Sequence, residues 1–235
     1  MIFDNFNTIE QNLLNFTNDD CYYKFEAIIR NKDGENALAT NPNSTSLKYW
    51  LIDSEESYKK LKPVMKKFCD VTGARLYVTL DKKSLKKTFV NTLKTFTEVV
   101  CDITYGVNYS VQKLNKVIAS ETSKKENTAN KLLDDNNVRT WMIDVDTKIS
   151  WIVEAVKDFC QDNYICSLET PNGFHIITKK NFGKDRFKDC LETHLIHQAG
   201  KYAKTQKDIN ICVKVALDYI ELKENALGLV YRRIV

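Results

Sequence analysis

The chain is poor in the residues that punctuate a backbone: seven glycines and three prolines in 235 residues. That scarcity excludes collagen-like, proline-rich and Gly/Ser-linker classes. No apolar run approaches the ~18 residues a membrane helix needs. Met1 to Asn12 is acidic and polar rather than basic then apolar, so no signal peptide is expected. Arg232-Arg233-Ile234-Val235 carries no prenylation cysteine. The seven cysteines, at 21, 69, 101, 160, 166, 190 and 212, include no CxxC pair, which argues against a zinc ribbon. Their odd number points to free thiols and a cytoplasmic location. Arginine is scarce too, at six of 35 basic residues. A lysine-dominated complement suits general phosphate contact better than bidentate reading of bases. The net charge of +4 permits a nucleic-acid partner without requiring one.

What is present is an ordinary globular balance, 43% hydrophobic and 28% charged, enough for one large domain or two small ones. Ile9 to Phe16 predicts a short helix, and Cys21 to Arg30 and Leu47 to Ile52 predict strands. Asp53 or Ser54 caps a helix running to about Val71, broken or kinked near Pro63 and ended by Gly73. Ala74 to Leu80 alternates as a strand. Ser84 to Val100 repeats Leu85, Phe89, Leu93, Phe96 and Val100 at helical spacing, with Lys82, Lys83, Lys86, Lys87 and Lys94 off that stripe. The plain reading of those lysines is a solvated face. A polar stretch, SETSKKENTANKLLDDNN, then divides the chain. Beyond it, Arg139 to Val145 predicts a strand and Ser150 to Phe159 a helix. Tyr164 to Leu168 and Phe174 to Thr178 pair across a Thr170-Pro171-Asn172-Gly173 turn. Arg186 to His197 predicts a helix, and Ile209 to Val235 two or three strands. The fold class is therefore α+β, not a doubly wound parallel sheet.

Asp144 and Asp146 carry the sharpest chemistry. At period two they share one strand face while Ile143 and Val145 take the other. Paired carboxylates repel, and a divalent cation relieves them. Replacing both with Asn is accordingly expected to stabilise the metal-free protein. His175, just past the Pro171-Asn172-Gly173 turn, is the second feature. A protonated ring there would lose its hold on a phosphate as pH rises through about 6.5.

The order RLYVTLDKKS, WMIDVD, helix, YICSLETPNGFHIIT resembles the archaeo-eukaryotic primase superfamily, which includes primase-polymerases, over roughly residues 70 to 235. It is also similar to phage proteins bearing a TPNGYH-like signature. The resemblance implies one primase-like domain over 1–235. It would comprise an N-terminal αβ module (about 1–103), a polar helical connection (about 104–137) and an RRM-like catalytic module (about 138–235). It implies a metal-dependent nucleotidyltransferase of phage or mobile-element replication, using Mg²⁺ or Mn²⁺, nucleoside triphosphates and a single-stranded template. A separately encoded replicative helicase is an implied partner; no membrane is. Asp144 and Asp146 would bind metal. Asp218, within Leu217-Asp218-Tyr219, is taken as the third carboxylate, with Glu221 and Glu224 as alternatives. His175, Arg75 and Lys179 would hold the nucleotide, and Lys82, Lys83, Lys86 and Lys87 the template. Arg139, Lys180 and Arg186 flank the same motifs. A catalytically weak or inactive binding protein of this fold, or a metal-dependent nuclease, remain alternatives.

Overall fold

The computed structural model describes residues 1–17, 20–30, 38, 43–106, 140–179, 183–223 and 226–234, apart from a few side chains such as that of Lys87. The polar connection from residue 107 onward, Arg139, Lys180 and Glu224 lie outside them. In chain order the elements are β1 (Ile2–Asp4), α1 (Phe6–Asn12), β2 (Cys21–Arg30), β3 (Ser44–Ile52), α2 (Glu55–Thr72), β4 (Arg75–Thr79), β5 (Lys83–Ser84) and α3 (Leu85–Thr104). There follow β6 (Trp141–Val145), α4 (Ser150–Cys160), β7 (Tyr164–Glu169), β8 (Phe174–Thr178), α5 (Lys184–Ala199), α6 (Gln206–Asp218), β9 (Ile220–Lys223) and β10 (Leu227–Arg233).

The strands form two sheets, and every pairing is antiparallel. The first runs β1-β10-β4-β2-β3, with β5 beside β2; the second runs β7-β8-β6-β9. The class is α+β, as expected. Each sheet obeys the period-two rule. On β6, Ile143 and Val145 bury against Val153, Val156 and Phe159 of α4, Leu191 and Leu195 of α5, and Val213 and Ala216 of α6. On the other face of the second sheet, Met142, Cys166, Leu168 and Ile177 join a core with Phe25, Leu76 and Val230 of the first sheet and Tyr58 and Met65 of α2. A fully buried Leu or Ile of this kind contributes about 1.5–3 kcal/mol. The sheets are thus packed together through one shared core.

Local signals explain α2. Ser54 Oγ accepts from the Ser57 N–H, Glu55 and Glu56 occupy the first turn, and Gly73 closes the helix at φ 70°. The helix runs unbroken through Pro63, so the expected break does not occur. Pro63 lies on the exposed side, so the carbonyl one turn back that loses its donor faces water. The C-terminal part departs further from the sequence reading. Residues 206–218 are helix, capped by Thr205 Oγ1 accepting from the Asp208 N–H at 3.2 Å, and not strand. β1 also goes beyond the sequence reading, pairing with β10 through Ile2, Phe3 and Asp4.

Asn5, 5% exposed, ties the two sheets. Its Nδ2 donates to the Glu169 and Leu229 carbonyls at 2.9 Å each, and its Oδ1 accepts from the Glu169 N–H at 2.9 Å. Asn5→Ala would orphan one buried backbone group, at Leu229, and two part-buried ones, at Glu169. The expected cost is about 2–4 kcal/mol, read as a lowered denaturation midpoint; a midpoint within 0.5 kcal/mol of wild type would show the clamp to be idle.

Candidate active-site cleft between the two sheets

Three chemically active side chains stand in one row across the second sheet. Asp144 on β6 lies directly opposite His175 on β8 and opposite Glu221 on β9. Side chains in such register stand about 4.5–5.5 Å apart at Cβ. Asp146, just beyond β6, is positioned by its N–H bonding the Tyr219 carbonyl at 2.8 Å. All four line a cleft of about 570 Å³ between the sheets. The opposing wall comes from the first sheet and includes Arg30, Arg75 and Arg232. Half of the chain's six arginines meet here. In a lysine-dominated protein, that concentration places bidentate anion binders across from a carboxylate row.

The turn before His175 is shaped by a close approach. The Gly173 N–H bonds Thr170 Oγ1 at 3.0 Å, and the Thr170 N–H bonds the Gly173 carbonyl at 2.9 Å. A Cβ on Gly173 would sit 1.9 Å from the Val145 carbonyl oxygen and 2.6 Å from the Thr147 N. Glycine is required because backbone meets backbone beside Asp144 and Asp146. Gly173→Ala should cost about 1–3 kcal/mol of stability and displace the Asp146 loop, measured by chemical denaturation; wild-type stability would contradict the contact.

His175 is largely buried, with a side chain 12% exposed. The Leu229 N–H donates to its Nδ1 at 3.4 Å, so the neutral ring carries its proton on Nε2, 3.6 Å from Asp144 Oδ1. Burial pushes its pKa down to about 4; Asp144 opposes this, and Lys223, Arg30 and Arg75 add to it. The expected protonated ring titrating near 6.5 is therefore corrected: at neutral pH His175 is an uncharged donor.

Asp144 is compensated on its other oxygen. The Lys223 ammonium binds Asp144 Oδ2 and lies 3.2 Å from Glu221 Oε2. Burial works against the charged amine, but its bonds to Asp144 and Glu221 outweigh that and raise its pKa above the usual lysine value. This contact argues against the expected gain in stability from removing repelling carboxylates. Asp144 faces a cation, and its loss would leave that ammonium with Glu221 and solvent.

The third carboxylate also needs correction. Asp218 is the exposed last residue of α6 and does not line the cleft. Glu221, kept as an alternative, is the one in register with Asp144. The hydrophobic-acidic-hydrophobic pattern at Leu217-Asp218-Tyr219 is a helix end, where a partly buried Leu mimics a strand face. Arg75 lines the cleft as expected. Lys179 does not: it is exposed at the far end of β8, about 13 Å along the strand from His175. The lysine cluster is remote as well. β5 pairs with Cys21 and Tyr22, the end of β2 opposite Arg30, so Lys83 lies roughly 25–30 Å from the cleft's arginine. Lys83 is also buried, 3% exposed, on a strand and not a helix face. Lys82 is partly exposed, Lys86 exposed on α3, and the Lys87 side chain lies outside the description. Arg30, Arg232, Glu221 and Lys223 are the cleft residues that the sequence reading passed over or ranked lower.

The donor chemistry of Asp144, Asp146 and Glu221 fits a hard divalent cation: oxygen ligands only, on or just beyond the strands of one sheet. Their present arrangement does not constitute a finished metal centre. Among the described residues, no three His, Cys, Asp or Glu side chains are grouped to hold an ion. Between two of the three carboxylates sits a stand-in cation, the Lys223 ammonium. No helix among the described residues is long and apolar enough to cross a membrane. No protein-family model, curated protein or solved structure matches the chain.

Proposed function

We propose that the protein is a metal-dependent nucleotidyltransferase of the primase or primase-polymerase type, extending a strand on a single-stranded template in phage or mobile-element replication. The observation that carries this reading is the two-walled cleft: carboxylates and a neutral histidine on one sheet, three arginines on the other. A nucleoside triphosphate with its divalent cation has matching halves. The second sheet adds support. Its chain order, strand-helix-strand-strand-helix-helix-strand, and spatial order β7-β8-β6-β9 agree with a β-α-β-β-α-β, RRM-like catalytic module carrying one additional helix.

Each residue has a role on this reading. Arg30, Arg75 and Arg232 hold the phosphates through charge-assisted, bidentate contacts. His175 donates its Nε2 proton to a phosphate oxygen, its orientation fixed by the Leu229 N–H. Asp144, Asp146 and Glu221 would hold Mg²⁺ or Mn²⁺, which when bound lowers the pKa of the attacking hydroxyl and neutralises charge at the transferred phosphorus.

The test is direct. Purified protein, Mn²⁺, a labelled primer on a single-stranded template and NTPs or dNTPs should give extension that ceases in Asp144→Asn. Template cleavage in place of extension would favour the nuclease alternative. A gel shift with neither would favour a binding protein of this fold. That last reading has its own support in Lys223, which satisfies Asp144 and Glu221 without any metal.

A further inference from the structure

We infer that Lys223 is a built-in counter-cation that keeps divalent metal out of the carboxylate row until a nucleotide arrives. The inference rests on the metal-site reading proposed above and adds a regulation to it. Lys223 is on the edge strand β9, in register with Met142 on the same sheet face, one step along from the Asp144–Glu221 pair. Its stem reaches diagonally so that one ammonium serves both carboxylates. A metal alone must expel that ammonium from an Asp144 that is only 11% exposed on its side chain. Each carboxylate bond the metal makes at Asp144 or Glu221 replaces one that the ammonium gives up. The expelled ammonium would also have no new anion to meet.

A triphosphate changes the balance. It brings several negative charges against Arg30, Arg75 and Arg232 on the facing wall, and it offers the displaced ammonium a phosphate in place of Asp144. The Lys223 side chain is 36% exposed, so it has open space through which to swing. The carboxylates then become free as the nucleotide's own cation approaches. Metal and nucleotide bind cooperatively, each raising the other's affinity by the same factor, because both draw on one two-position lysine. The geometry also accounts for the absence of a preformed metal group among the described residues. A cation is already in place.

The experiment is Mn²⁺ titration of the free protein, without nucleotide, followed by electron paramagnetic resonance of unbound Mn²⁺. Lys223→Gln should bind Mn²⁺ at least about tenfold more tightly than wild type, within the usual range of coupling between sites. Lys223→Arg keeps a cation against Asp144 and should retain the weak wild-type affinity. It also guards against misreading a folding defect in the first variant, as does a matched thermal melt. Adding Asp144→Asn to Lys223→Gln should abolish the gain. Equal Mn²⁺ affinity in wild type and Lys223→Gln would overturn the role of Lys223 while leaving a metal site in place. Failure of every protein to bind Mn²⁺, with a nonhydrolysable triphosphate present or absent, would overturn this inference and the metal reading together.

Discussion

Asp144→Ala is expected to abolish the nucleotide incorporation proposed above, by roughly a thousandfold or more, and to lower stability at the same time. Both losses have one origin. Asp144 stands at the centre of the His175–Asp144–Glu221 row and is the residue that both Lys223 and His175 face. Groups that work as one unit fail together when a shared member is lost. On the stability side, the half-buried Lys223 ammonium loses its principal anion. Because Lys223 is 36% exposed, water screens much of that loss, and a cost of about 1 kcal/mol is expected. Asp144→Asn, which keeps the shape and one acceptor, should cost less stability and as much activity. A primer-extension assay beside a urea denaturation curve separates the two. An Ala variant more stable than wild type would restore the repelling-pair picture and remove Lys223 from the account.

The second large effect is on acid stability. His175 has a folded pKa of about 4 against about 6.5 in an unfolded chain. Between those values the unfolded state binds more protons, so folding stability rises with pH in that window. It is lost as pH falls from about 6.5 toward 4. From pH 7 to pH 5 this group should remove about 2 kcal/mol. His175→Gln, whose side-chain oxygen can still accept from the Leu229 N–H, should flatten that part of the profile. Urea midpoints of the two proteins at pH 7 and pH 5 give the answer. Parallel profiles would mean that the ring is freely protonated in the folded state. Nucleotide binding, for the same reason, should show no transition near pH 6.5 that depends on His175.

Much of the second sheet could be read from local pattern. In Trp141–Val145 every side chain is buried and only Asp144 is polar, so the one charge stands out against the strand; the Thr170 to Gly173 turn fixes where β8 begins. Caps at Ser54 and Gly73 likewise delimit α2 without tertiary help. The failures share a physical cause, in that they depend on partners distant in sequence. Lys83 looks like a helix-face lysine until β5 pairs with Tyr22 and buries it. Residues 209–218 carry two Ile, Cys, two Val, Ala and Leu, β formers and helix formers mixed, and their helix is decided by packing on the second sheet's core. Glu221 differs from Asp218 as a site residue only through its register with Asp144. The arginine wall is invisible locally, since Arg30, Arg75 and Arg232 lie on three strands that meet only in the folded sheet.

The position of β10 has a consequence for how the chain is made. It lies between β1 and β4, so the first sheet, begun by residue 2, is completed only by residues 227–233. A nascent chain must therefore carry β4 with one edge unpaired, and β1 with no neighbour, while the whole of the second sheet emerges. At about 5–20 residues per second, that wait lasts on the order of ten seconds or more. During it, Phe25, Leu76 and Val78 lack the Val230 and Tyr231 side chains that complete their core. Unpaired strand edges in such intermediates invite association with other chains. Stalled or truncated products ending before residue 227 should accordingly be insoluble or chaperone-bound, even though the second sheet, finished by Lys223, has all of its own strands.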